Sequence, residues 1–252
     1  MVQGIFTLAL APIEAQMRII PQRIQFSSYT WTVRQTAAPE GPMNNYFSGK
    51  DISVILNPDS SLTLRVVKGE EYWNAAEVYL TKRLGYGTYI FRLRTPPSKL
   101  DKNLVLGFFT YSPNKAYNHS EIDIEFSAWG SARIPVLGQY VVQPYDNPNN
   151  MVSFDIAKVK GQASYSFTWS AERIEFTSWH GYGPQPVPNT DEIIHSWVYN
   201  DPSGIPKPGR EVVHMNLYLT TGGKISDGAG PAGSGLTSIT IDSFEFIPPI
   251  VD

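Results

Sequence analysis

Polar and apolar residues alternate along most of this chain. The pattern is strictest from His119 to Phe126, which reads His-Ser-Glu-Ile-Asp-Ile-Glu-Phe. Successive side chains of a strand point to opposite faces. The stretch therefore predicts a strand with Glu121, Asp123 and Glu125 on one face and Ile122, Ile124 and Phe126 on the other. Three neighbouring carboxylates repel one another, and no Lys or Arg interleaves them. A face kept wet only for solubility mixes signs and favours Thr, Ser or Lys. A calcium-binding strand is the other alternative, but hard cations usually take ligands from a loop that wraps the ion.

The spacing also points to chemistry. Glu121 and Glu125 stand about 13 Å apart at Cα on an extended backbone. Side chains leaning together on a curved strand bring the carboxyls to about 5–5.5 Å, the separation found in a retaining glycosidase.

Most other segments carry the same two-residue period, and few carry a helical one. Strands are expected over 24–33, 51–56, 61–67, 104–111, 137–142, 212–219 and 237–247. Hairpins are expected for 73–81 with 87–94 through Leu84-Gly85-Tyr86-Gly87, and for 164–170 with 174–179 through Ala171-Glu172-Arg173. Asn57-Pro58-Asp59-Ser60 reads as a turn. The Gly-rich run 221–235 reads as a mobile loop, without the strand-to-helix context of a phosphate cradle. The Pro-rich runs 36–43, 183–188 and 202–208 read as loops. Many short strands joined by turns predict an all-β, two-sheet antiparallel sandwich.

The chain has 252 residues, enough for one large β domain without disulfide or metal support. No linker or repeat divides it, so 24–252 is expected to be a single domain. Charged residues make up 17% and the net charge is −3, which gives no case for a nucleic-acid partner or an anionic membrane surface. No apolar run reaches membrane-spanning length. Aromatic content of 13% suits a protein that stacks on sugar rings, although most of those rings will fill a β core. With no cysteine, disulfides are excluded and the compartment is left open. Ile5 to Ala11 is similar to a short signal h-region, and Ala9-Leu10-Ala11 to a cleavage site, although a basic n-region is missing. Residues 1–23 are read as a lead-in or a signal remnant, with a secreted location expected.

The stretch Glu121-Ile122-Asp123-Ile124-Glu125-Phe126 resembles the signature of glycoside hydrolase family 16, β-jelly-roll enzymes that include licheninases, laminarinases and xyloglucan endotransglycosylases. Tyr86 to Tyr89 with Arg92 to Arg94, Phe108 to Tyr111, Tyr165 to Trp169 with Ile174 to Phe176, and Met215 to Leu217 are similar to other family segments, in order. The resemblance implies a jelly roll with a concave substrate cleft, a β-glucan polysaccharide as partner, a monomer, and no cofactor for the chemistry. Glu121 would be the nucleophile, Glu125 the general acid and then base, and Asp123 the group between them. Asn45, Glu77, Phe109, Tyr111, Asn216 and Tyr218 match positions that line the cleft. Asp242 matches a position that can help hold a structural Ca2+.

The unbroken alternation is similar to that of licheninases and the xyloglucan enzymes, and favours a β-1,3-1,4-glucan or another β-glucan with β-1,4 links. A transglycosylase would use the same carboxylates, and a non-catalytic carbohydrate-binding protein could share the fold. Three departures stand out. His119 and Ser120 replace an aromatic residue and Asp, Tyr79 replaces an Arg, and Tyr218 replaces a Trp; the loss of the Asp and Arg is expected to remove polar support from the site. His119 could tune Glu121 or simply end a loop. His180, His195 and His214 have no metal spacing. Trp129 and Trp179 fit either sugar platforms or core.

Overall fold

The computed structural model describes residues 22–250. The signal-like stretch Ile5 to Ala11 lies outside the described residues. In chain order the strands begin with β1 (Gln22–Phe26), β2 (Tyr29–Val33), β3 (Tyr46–Phe47), β4 (Val54–Leu56), β5 (Leu62–Arg65) and β6 (Val67–Lys68). They continue with β7 (Trp73–Leu80), β8 (Gly87–Leu93), β9 (Leu104–Tyr111), β10 (Ile122–Ser127), β11 (Leu137–Val142) and β12 (Met151–Asp155). The last five are β13 (Ala163–Trp169), β14 (Ile174–His180), β15 (Ile193–Tyr199), β16 (Val212–Leu219) and β17 (Ser238–Ile247). Among the described residues no helix is long and apolar enough to cross a membrane.

These strands form two sheets, the all-β sandwich that the alternation predicts. One runs β1-β2-β7-β16-β9-β10-β11-β12, with β3 and β6 also paired to β7. The other runs β15-β14-β13-β8-β17-β5-β4. All pairings are antiparallel except β3 with β7. Aromatic rings lock the sheets together. Phe91 of β8 stacks on Phe108 of β9 at 4.7 Å, and Phe126 of β10 meets Tyr165 of β13 edge-on at 4.7 Å.

Ile122, Ile124 and Phe126 are fully buried in this core. Each contributes roughly 1.5–3 kcal/mol through burial. A one-residue slip of β10 would turn that face outward and drive three carboxyls inward, so the apolar face fixes the register of the acidic one.

Several expectations are corrected. The segment 24–33 is two strands, not one: Ser27 and Ser28 take positive φ of 51° and 65°, making a tight two-residue hairpin turn. The segments 73–81 and 87–94 do not pair. β7 lies between β2 and β16 and β8 between β13 and β17, so the chain crosses from one sheet to the other at that turn. A turn signal fixes a change of direction, while the partner is fixed by which sheet can cover the apolar residues. β12 and β15 were not read as strands because both are edge strands with only one buried residue each, leaving weak alternation. The Gly-rich run 221–235 is tied down, since buried Asp101 accepts the Ala232 N–H at 2.8 Å and the Ser234 N–H at 2.9 Å.

Candidate active site

Antiparallel register turns the alternation of single strands into rows that cross the sheet. One row reads Glu77 (β7), Asn216 (β16), Gly107 (β9), Glu125 (β10), Gln139 (β11) and Ser153 (β12). The next reads Tyr79, His214, Phe109, Asp123, Val141 and Met151. Directly opposed residues share a face. Glu121 immediately precedes β10 with an extended backbone (φ −94°, ψ 123°) and keeps the same facing. Together the β7, β16, β9 and β10 members of these rows line an open cleft of about 730 Å³, along with Tyr111, Tyr218, Glu121, and Arg34 to Thr36 and Glu40 to Pro42 of the β2–β3 connection.

Glu121 and Glu125 are half-buried and Asp123 is buried. Removal from water disfavours the charged form. It raises Glu125 to about 7. Burial likewise raises Glu121 to about 7, and the nearby charge of Glu125 adds to the effect, while a hydrogen bond from Asp123 works the other way. Asp123 is pushed well above the ordinary carboxylate range, first by burial and then by both glutamates. It is therefore the protonated member and donates to Glu121. Gln143, at the end of β11, donates its Nε2–H to Asp123 Oδ2 at 3.0 Å and orients that carboxyl.

Across the cleft Glu77 meets the opposite circumstances. It is buried, which alone would raise it, but it accepts bonds from His214 Nδ1 at 2.9 Å and Arg34 Nη1 at 2.7 Å. These outweigh burial and hold the carboxyl below its ordinary range. The polar support expected to be lost with Tyr79 thus comes from neighbouring segments. Asn216 Oδ1 is buried with no protein partner among the described residues. A Cβ on Gly107 would stand 2.7 Å from that oxygen, so a larger residue there would make the Asn216 side chain shift.

Of the residues expected to line the cleft, Glu77, Phe109, Tyr111, Asn216 and Tyr218 do so. Asn45 does not. It is fully buried and clamps the β2–β3 connection to β16, donating to Leu219 O at 2.8 Å and accepting from Leu219 N at 3.0 Å. Asp242 does not fit a calcium site. Arg94 Nη2 sits 2.5 Å from its Oδ1, and Tyr182 donates to its other oxygen. Among the described residues no cluster of three metal-ligating side chains forms around it. Trp179 is core. Trp129 is exposed at the end of β10 and donates to Gln139 Oε1 at 2.9 Å. His119 stacks on Tyr111 at 4.8 Å, and its Nδ1 lies 2.8 Å from Ser112 O.

Arg34, His214 and Gln143 were missed as site residues. Alternation back from Tyr218 and Asn216 reaches His214, and forward from Gln139 and Val141 it reaches Gln143, so a signal existed for both. None existed for Arg34.

No protein-family model matches the chain. The endo-1,3-1,4-beta-glycanase ExoK of Rhizobium meliloti (strain 1021) is 25% identical over 189 residues, covering 73% of this chain and 56% of that protein. The chain thus spans little more than half the length of the curated relative it matches. Among solved structures, Bacillus licheniformis β-glucanase matches with a TM-score of 0.61 at 18% identity, covering 91% of this chain and 98% of the other. SCLam, a non-specific endo-beta-1,3(4)-glucanase from family GH16, matches with a TM-score of 0.57 at 14% identity, covering 86% and 83%. The chain resembles glycoside hydrolase family 16. Its fold is the jelly roll of those glucanases, and its sequence likeness is to the licheninase type. The acidic face of β10 lies inside the sheet that carries the cleft, with two strands beyond it on one side and five on the other.

Proposed function

We propose that the chain is a retaining endo-β-glucanase acting on a β-1,3-1,4-glucan or a related β-glucan. The observation that carries this reading is one strand face on which Glu121, Asp123 and Glu125 line the same open cleft, with Asp123 hydrogen-bonded to Glu121 and Glu125 meeting burial alone. Burial raises both glutamates to about 7, so near neutrality the pair can hold one proton between them, and the bond from Asp123 favours the charged form on Glu121, as a nucleophile beside an acid requires. The names of the β-glucanases it resembles supply the substrate class.

Glu125 gives its proton to the glycosidic oxygen as that bond breaks. Glu121 attacks the anomeric carbon and forms a covalent glycosyl-enzyme. Glu125, now a carboxylate, takes a proton from water; the water displaces Glu121 and leaves the configuration retained. Asp123 holds its proton between the steps. Asn216 Oδ1, unpaired in the protein, accepts from a sugar hydroxyl, recovering about 1–3 kcal/mol lost when that oxygen was buried. Every group in this scheme belongs to the chain itself. The same reading carries a secreted location, where a polymeric glucan is met.

Reducing-end release should be assayed on barley β-glucan, lichenan, laminarin, xyloglucan and agarose. Activity on a β-glucan, lost in both Glu121→Gln and Glu125→Gln, with the β-anomer formed first by proton NMR, is the expected result. No activity on any of the five overturns the enzyme reading, and an α-anomer first overturns retention.

A further inference from the structure

His214 is held more tightly than a residue that merely lines a cleft. Its ring is clamped between Tyr79 at 5.3 Å and Phe109 at 4.9 Å, with planes within 22° and 20° of parallel. The three belong to one row across β7, β16 and β9, so the rings stand side by side at about the strand spacing. Rings stacked in this way stand up from the sheet and offer their tips, not their faces, to a ligand. The side chain is also fixed by charge. Glu77 is ionised, because Arg34 and His214 hold it so against burial. A carboxylate only accepts, so Nδ1 carries the hydrogen of the 2.9 Å bond. Nε2 is then the ring nitrogen left free to bond a ligand.

That nitrogen has no protein partner among the described residues, and it is not among their buried unpaired atoms. It therefore reaches the solvent of the cleft that His214 lines. Asp123 stands two strands away in the same row, about 10 Å distant at Cα. His214 is thus too far off to touch the bond being cut and lies over the path of a chain crossing the sheet.

We propose that His214 Nε2 reads a hydroxyl of a sugar unit beyond the one cleaved, on the β16–β7 side, as a fixed hydrogen-bonding partner. Glu77, held by Arg34, fixes which nitrogen faces inward, and Tyr79 and Phe109 set the ring's angle. The inference rests on the cleft being a β-glucan site, but its test reads binding and needs no turnover.

A β-1,3-1,4-linked glucotetraose, cellotetraose and laminaritetraose would each be titrated by calorimetry into Glu121→Gln protein with His214 intact, His214→Asn or His214→Gln. Asn can reproduce the bond to Glu77 but lacks an atom at the Nε2 position, while Gln keeps a polar atom there. The expected result is a Kd about fivefold weaker for His214→Asn, the effect of one hydrogen bond, with most of the loss recovered in His214→Gln. In ¹⁵N-labelled protein the Nε2 signal of His214, one of four histidines, should shift on adding the tetrasaccharide while Nδ1 stays protonated. Equal Kd values in all three proteins, or equal weakening in both variants, overturn the proposal. So does failure of every tetrasaccharide to bind. Binding that depends on His214 in a protein whose Glu121-intact form hydrolyses no glucan would keep this inference and remove only the enzyme reading.

Discussion

Glu77 and Glu125 lie in one row of one sheet, separated by Asn216 and Gly107. Both are shielded from water, yet their acidities move in opposite directions. Glu77 has a guanidinium and an imidazole within 3 Å and is held ionised. Glu125 has no cation beside it, and burial raises it to about 7. Burial raised both, so the partner supplied by another strand decided the charge. On one side of the cleft the protein builds a fixed anion that positions other groups. On the other it leaves a carboxyl able to carry and release a proton near neutrality.

The comparison can be broken most severely at Glu125. Glu125→Gln removes the proton donor and should lower turnover by about 10²–10⁴-fold, the range for loss of a general acid, measured as reducing-end release at saturating glucan. Breaking the Glu77 side should register in stability. Arg34→Met leaves a buried carboxylate with only the His214 bond, at an expected cost of about 1–3 kcal/mol in urea unfolding. Retention of full stability would show that the pairing contributes little net energy.

The contrast is sharpened by giving Glu125 what Glu77 has. Gln139 sits directly opposite Glu125 on β11, so Gln139→Lys places an ammonium beside it. An opposite charge favours the ionised form, so Glu125 should lose its proton at lower pH. The alkaline limb of the kcat/KM profile, expected near pH 7, should move down by about one unit. The limb belongs to the Glu121–Glu125 pair as a whole, so both limbs should be recorded.

The smallest effect is on thermal stability. A carboxyl whose folded pKa lies above its unfolded value binds more protons in the folded state. Its contribution is present below about pH 4.5 and is lost as pH rises through about 7. Glu125→Gln should therefore raise Tm by a few degrees at pH 8 and by little or nothing at pH 4.5. An equal rise at both pH values would mean that packing, not charge, had changed.

How legible these features were depended on the reach of the interaction. Glu121, Asp123 and Glu125 could be placed on one face because alternation is local, and Phe109 with Tyr111 and Asn216 with Tyr218 follow the same rule. The resemblance placed Asn45 at the cleft, but an Asn suits a buried clamp equally, and its bonds to Leu219, 174 positions away, decided between them. The resemblance matched Asp242 to a position that can help hold a structural Ca2+, while the groups at its two oxygens, Arg94 and Tyr182, are distant in the chain and visible only in the fold. The 73–81 and 87–94 hairpin failed because a turn does not identify a partner strand.

By itself the sequence determined that this chain forms a β-sandwich and that three acids share one strand face, because a strand repeats every two residues wherever it lies. Which acid keeps its proton, which is held charged, and that His214 turns one nitrogen toward the cleft were decided only by tertiary structure. Charge state follows from burial and from neighbours within a few ångströms, and here those neighbours, Arg34, Glu77, Gln143 and His214, come from strands and connections distributed along most of the chain.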